Sequence, residues 1–151
     1  MNIRILKTLS SFFLFIFLSN ELLADQGISS DQVLIGMHTD ISGPASMIGK
    51  QSVDGANMRF NEFNENGGAF GRTIKLIVED HQYTVPRAVQ AANKLLRKDK
   101  VAFMMGSLGT PMNNAVMTDQ LAMNVPNLFP LTAARSMFDP FDRLKFTSGS
   151  T

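Results

Sequence analysis

The 151-residue chain is 44% hydrophobic and 18% charged, with a formal net charge of +1, the balance of one globular domain with an ordinary core. It has no basic block, one Tyr and no Trp, which argues against the stacking and phosphate-binding surface of a nucleic-acid binder. Cysteine is absent, which excludes disulfides, thiolate chemistry and the lipid attachment point of a bacterial lipoprotein.

Residues 1–24 read as a cleavable leader. Arg4 and Lys7 precede an apolar run from Phe12 to Leu18, and Leu22-Leu23-Ala24 offers a small residue for cleavage, so the mature chain is expected to start at Asp25. The run is well short of the roughly 20 residues that span a bilayer, which favours secretion into a bacterial periplasm over anchoring.

Val33-Leu34-Ile35-Gly36-Met37 is apolar without alternation and runs into the turn-rich Asp40-Ile41-Ser42-Gly43-Pro44, the pattern of a central strand leaving into a loop. From Lys50 to Asn66, Val53, Ala56, Phe60 and Phe63 recur at helical spacing, and Gly67-Gly68 ends the helix. Asp54, Arg59, Glu62 and Glu65 fall on its other faces as solvated charges. Thr73 to Asp80 is a strand interrupted by Lys75 and Glu79, which places it at a sheet edge. A helix with Pro86 in its first turn then carries Val85, Ala88, Val89, Ala92, Leu95 and Leu96 on one face, and Arg97, Lys98 and Lys100 complement its negative end.

Val101-Ala102-Phe103-Met104-Met105 is a second unbroken apolar run and predicts a strand buried on both faces. Gly106 and Gly109 permit a tight turn after it, Thr110 suits an N-cap and Pro111 a first helical residue. A helix start of this kind attracts anions, and loops at the carboxyl ends of strands hold the ligands of open α/β sheets. An ordinary strand-to-helix connection with a structural cap fits the loop equally well. The helix runs from about Pro111 to Met123 and ends at Asn124-Val125-Pro126. Asn127 to Leu131 is a further strand, leading into Thr132-Ala133-Ala134, a second loop expected beside the first. Arg143 to Thr147 starts one more strand. The alternation predicts a right-handed, doubly wound parallel α/β sheet.

Catalytic machinery is sparse. His38 and His81 are the only histidines, each at a strand end, and without Cys or an H-E-x-x-H spacing they read as structural rather than as metal ligands. Gly106-Ser107-Leu108-Gly109 matches neither a nucleotide-binding glycine motif nor a nucleophile elbow, so neither a cofactor nor acyl transfer by Ser107 is expected, and a secreted hydrolase is disfavoured. The ten methionines read as core filler.

Several motifs in order carry a resemblance. They are Val33-Leu34-Ile35-Gly36 into Ser42-Gly43-Pro44; Gly55-Ala56 leading to Asn66-Gly67-Gly68 and Gly71; Glu79-Asp80 with Pro86 and Lys94-Leu95; and Met105-Gly106 before the loop. Through them the mature segment resembles the N-terminal lobe of leucine-binding-type periplasmic solute-binding proteins of branched-chain amino acid ABC transporters. The resemblance implies a non-enzymatic, two-lobe protein that closes over an amino acid or a related small carboxylate or amide, with a membrane permease as partner. The ligand-binding half of an extracytoplasmic receptor shares this lobe and is the alternative. By resemblance the ligand carboxylate is held by loop hydroxyls and helix-start amides, which here means Ser107, Gly109 and Thr110 in the first loop and Leu131, Thr132 and Ala133 in the second. Thr110 matches a family hydroxyl ligand. The second loop's hydroxyl position falls at Ala133, with Thr132 beside it, and Ile48 stands where amino acid binders often place an aromatic. A second lobe supplying an acidic residue for an ammonium group is also implied; the 151 residues contain none of it, so a truncated first lobe, a poor binder on its own, is expected.

Overall fold

A computed structural model describes residues 26–147; the expected leader, with Asp25, and the tail from Ser148 lie outside the described residues. The elements are β1 (Gln32–Thr39), α1 (Ser46–Glu65), β2 (Thr73–Asp80), α2 (Val85–Asn93), β3 (Phe103–Met105), α3 (Thr110–Ala122), β4 (Asn127–Leu128) and β5 (Lys145–Phe146). A π-helical turn, Lys94–Lys98, prolongs α2, and a short 3-10 turn covers Arg135–Met137.

All five strands pair in parallel in the order β2-β1-β3-β4-β5. The step from β1 to β2 goes one way and the later steps go the other, so right-handed crossovers place α1 on one face and α2 and α3 on the opposite one. The core lies under α2 and α3, where Ala92, Leu95, Leu96, Val101, Met104, Val116 and Val125 form one buried cluster. A Cβ on Gly36 would sit 3.0 Å from Val101 and 3.4 Å from Leu95, which shows how closely this layer packs on β1. The strand with Lys75 and Glu79 is at the edge, as its interrupted pattern predicts.

Several boundaries differ from the sequence reading. Helix α1 starts at Ser46, not Lys50, after a turn that Asp40 fixes: its carboxylate accepts the Gly43 N–H at 2.5 Å and the N–H of Ala45, the N-cap residue, at 2.7 Å. The helix then presses on the end of β1, where a Cβ on Gly49 would lie 1.9 Å from the Asp40 carbonyl oxygen, so only glycine fits there. Gly49 is the only buried residue of α1; Val53, Ala56 and Phe60 are half-buried and Phe63 is exposed. Gly67-Gly68 does end this helix, with the Gly68 N–H on the Phe63 carbonyl. The run from Val101 contributes only Phe103–Met105 to the ladder; Val101 is buried, but its N–H caps the Leu95 carbonyl at the end of the π-helical turn. Phe129, at φ 50°, breaks the strand expected from Asn127 to Leu131, which resumes as a bridge between Leu131 and Leu108. Met47 and Met58 are exposed on α1, unlike the buried Met37, Met104, Met112, Met117 and Met137.

Candidate functional site

Strand order reverses between β1 and β3, and the carboxyl ends of these two strands open the crevice where α/β sheets hold ligands. The loop after β3 is fastened on both sides. The Leu108 N–H donates to the His38 carbonyl on β1 at 3.2 Å, and the Leu131 N–H donates to the Ser107 carbonyl at 2.9 Å. Gly109 returns a bond to the Leu131 carbonyl at 3.3 Å, so the two strand-end loops lie side by side, as the parallel sheet predicts. From within α3, the buried Asn113 amide donates to the Ser107 and Gly109 carbonyls, each at 2.9 Å. Ser107 is fully buried behind this turn, and its hydroxyl has no hydrogen-bond partner among the described residues.

Thr110 is not the N-cap. That position is Gly109, at φ 95° and ψ 134°, and Thr110 is the first helical residue, followed by Pro111. The backbone geometry explains the shift: a positive φ suits glycine, and Thr110 then turns its side chain away from the helix amides. Its Oγ1 instead hydrogen-bonds to Oγ1 of Thr132 in the second loop. Thr132 Oγ1 also accepts the Ala134 N–H at 3.3 Å. Two half-buried hydroxyls thus bridge the loops at the positive end of α3. Ala133 follows Thr132 and is exposed.

Ile48 lies in the first turn of α1, following β1, and is exposed. It joins Met47, Tyr83, Val85, Phe129 and Leu131 in a set of exposed large apolar residues, all in loops or first helical turns after the strands. Polar hydroxyls with an apolar surround are the composition of a small-molecule site. By contrast, an open pocket of about 310 Å³ lined by Gln26, Ser29, Gln32 and Lys100 contains none of these residues and lies at the opposite, amino edge of the sheet.

Beneath the loops is a polar layer whose role the sequence did not reveal. His81 is buried; its Nδ1 accepts the Tyr83 N–H at 3.0 Å, so the proton is on Nε2, which donates to the Leu108 carbonyl at 3.1 Å. Burial lowers its pKa against the opposing pull of the Leu108 carbonyl, Asp40 and Asp80. The His38 ring lies 5.5 Å from that of His81, and burial, with the neighbouring imidazole, lowers its pKa to about 3. Both histidines are therefore neutral and structural near pH 7. Asp80 ties the loop after β1 to the loop after β2, accepting the Ile41 N–H at 2.9 Å, the Ser42 hydroxyl at 2.5 Å and the Gln82 N–H at 3.0 Å. Partial burial pushes its pKa up, but these donors outweigh it and hold the carboxyl below its ordinary value. No cluster of His, Cys, Asp or Glu suited to a metal occurs among the described residues.

Similar proteins carry the same architecture. The Leu/Ile/Val-binding protein BraC3 of Rhizobium johnstonii is 30% identical over 102 residues, covering 68% of this chain and 27% of that protein. The chain therefore spans about a quarter of the length of this curated relative. A substrate-binding periplasmic protein from Ralstonia solanacearum superposes with a TM-score of 0.71 at 26% identity, over 77% of this chain and 33% of that one. A fatty acid ABC transporter substrate-binding protein from Thermomonospora curvata does so with a TM-score of 0.64 at 25% identity, over 73% and 28%. The family that these relatives represent binds solutes rather than converting them. Residues 32–140, from the first strand through both strand-end loops, match the family described as periplasmic binding protein, and the chain belongs to it.

Proposed function

We propose that this chain is the first lobe of a solute-binding component of an ABC importer, carried to the periplasm by the leader in residues 1–24, and that it takes a small aliphatic carboxylate. One observation carries the reading: the Thr110–Thr132 hydroxyl pair sits at the start of α3 amid exposed apolar side chains. A carboxylate suits hydroxyl donors beside a helix amino end, and an aliphatic tail suits the rim around them. The branched-chain amino acids and fatty acids in the names of the relatives share these two chemical parts. Those names also favour import over the receptor alternative. A permease would receive the loaded protein, and a facing lobe would complete the cleft.

Calorimetric titration with L-isoleucine and with octanoate tests this reading. A hydrogen bond to a charged group is worth roughly 1.5–3 kcal/mol, so Thr110→Ala should weaken binding about tenfold to a hundredfold, while Thr110→Ser keeps most of it. Equal affinity in wild type and Thr110→Ala would remove Thr110 from the site, and silence toward both probes would reject the carboxylate reading.

A further inference from the structure

The residue that the structure adds to this region is Tyr83. Its ring lies over the first loop: a Cβ placed on Gly109 would be 3.2 Å from Tyr83 Cε2 and 3.5 Å from Cζ. Gly109 immediately precedes Thr110, so the aromatic ring stands beside the helix start and its hydroxyl pair. The chain holds it there against local preference. Gln82 and Tyr83 have φ of 50° and 56°, a left-handed pair of non-glycine residues, and such conformations cost energy that the surroundings must over-determine. Three contacts do this. The Tyr83 N–H is bound by His81 Nδ1, the Gln82 N–H by Asp80 Oδ1, and the two rings meet edge-on with centroids 6.4 Å apart. His81 also holds the Leu108 carbonyl, so one buried imidazole sets the ring and the loop in register with each other. Yet Tyr83 stays 41% exposed, so its ring is presented at the surface rather than used as core filling.

We propose that Tyr83 is a specificity-determining wall of the binding site, its ring packing against the aliphatic part of the ligand while the threonine hydroxyls meet the carboxylate, with His81 as its positioning residue. The wall comes from the loop after β2, on the far side of β1 from the two hydroxyl-bearing loops. It supplies the aromatic surface that Ile48 does not. This inference rests on the binding-site reading above.

Tyr83 is the only tyrosine of the chain, which has no tryptophan, so tyrosine emission reports this one residue. The test titrates the 151-residue chain with L-isoleucine and with octanoate, following heat and emission together. Bound ligand should shift the emission at the same midpoint as the heat. Loss of an apolar anchor should weaken binding about tenfold in Tyr83→Gly, and Tyr83→Phe should stay near wild type. Tyr83→Gly also separates the site role from a structural one, because glycine relieves the positive φ: its melting temperature should hold or rise while its affinity falls. Heat without any emission change, together with unchanged affinity in Tyr83→Gly, would overturn the wall and leave the carboxylate site standing. Absence of heat from both probes would overturn both.

Discussion

The hydroxyls of Thr110 and Thr132, 22 residues apart in the chain, are hydrogen-bonded to each other and thereby join the two loops that follow β3 and β4. Because Thr110 is not a helix cap, its truncation should not carry the loss of a cap. A double-mutant cycle of Thr110→Ala and Thr132→Ala isolates the bond itself. Each single change should lower the unfolding free energy by about 1 kcal/mol, and the pair should cost little more than either alone, giving a coupling of roughly 0.5–1.5 kcal/mol. Chemical denaturation of the four proteins measures it; strictly additive losses would mean that the hydroxyls act independently.

Gly109→Ala should be a severe change for its size. The new methyl would lie 2.2 Å from Met112 Cε and 3.2 Å from the Tyr83 ring, at a φ of 95° that alanine resists. Met112 can yield as a flexible end, but the backbone cannot, and strain of this kind costs about 1–3 kcal/mol. A melting curve shows the loss. Gly55→Ala is the control: a Cβ there meets nothing within 4 Å, and in mid-helix it should stabilise by roughly 0.5–1 kcal/mol.

The strand-helix alternation, the edge position of β2 and the adjacency of the two loops were legible because each rests on local pattern: apolar runs, helical spacing and glycine stops. Thr110 was legible as a polar group at a helix start but not in its role, since Thr before Pro suits both an N-cap and a first helical residue, and only the φ of Gly109 decides between them. The layer under the loops was hidden for another reason. Asp80 reaches Ile41 across 39 residues and His81 reaches Leu108 across 27, and no spacing rule encodes such pairings. Tyr83 gave a faint signal, as the lone aromatic in the polar turn Gln82-Tyr83-Thr84 ahead of Pro86. How far the apolar face of α1 is covered was not legible, because helical spacing marks an apolar stripe without telling what lies against it.

Acid should destabilise the fold through His38. The unfolded chain takes a proton there near pH 6.5, while the native imidazole resists until about pH 3. Between these values the unfolded state binds more protons, so the stability present above pH 6.5 is lost as pH falls, by up to about 1.4 kcal/mol per pH unit. His81, also lowered, adds in the same direction. Unfolding free energies measured from about pH 7 to 5, above the usual carboxylate range, isolate the histidines. His38→Phe should flatten this slope, and an unchanged slope in the variant would show that His38 does not titrate on unfolding.

Asn113 offers the sharpest separation of loop order from ligand chemistry, because its amide is buried and reaches the first loop only through carbonyls. Nδ2 donates to the Ser107 and Gly109 carbonyl oxygens, each at 2.9 Å, so one side chain in α3 fixes the turn that precedes Thr110. Asn113→Ala removes both bonds but leaves each carbonyl one backbone donor, the Leu131 N–H on Ser107 and the Asn113 N–H on Gly109. At about 0.5–1.5 kcal/mol for each bond, a loss of roughly 1–3 kcal/mol is expected. Asn113→Asp is the more telling variant. It keeps the shape, yet at neutral pH it sets a carboxylate against two carbonyl oxygens, whereas its protonated form can donate to one of them. Its folded pKa should therefore be raised above the ordinary carboxylate value, so the added instability should be largest above that raised value and shrink as pH falls through it toward the ordinary carboxylate range. Relative to wild type, whose stability declines with acid through His38, the gap between the two proteins should narrow on acidification. Parallel denaturation series for wild type, Asn113→Ala and Asn113→Asp measure it, with the alanine variant expected to keep a constant gap. If Asn113→Asp instead tracks wild type at every pH, the amide does not hold the loop, and the register of Thr110 against Thr132 must be set by the backbone bonds to Leu131 alone.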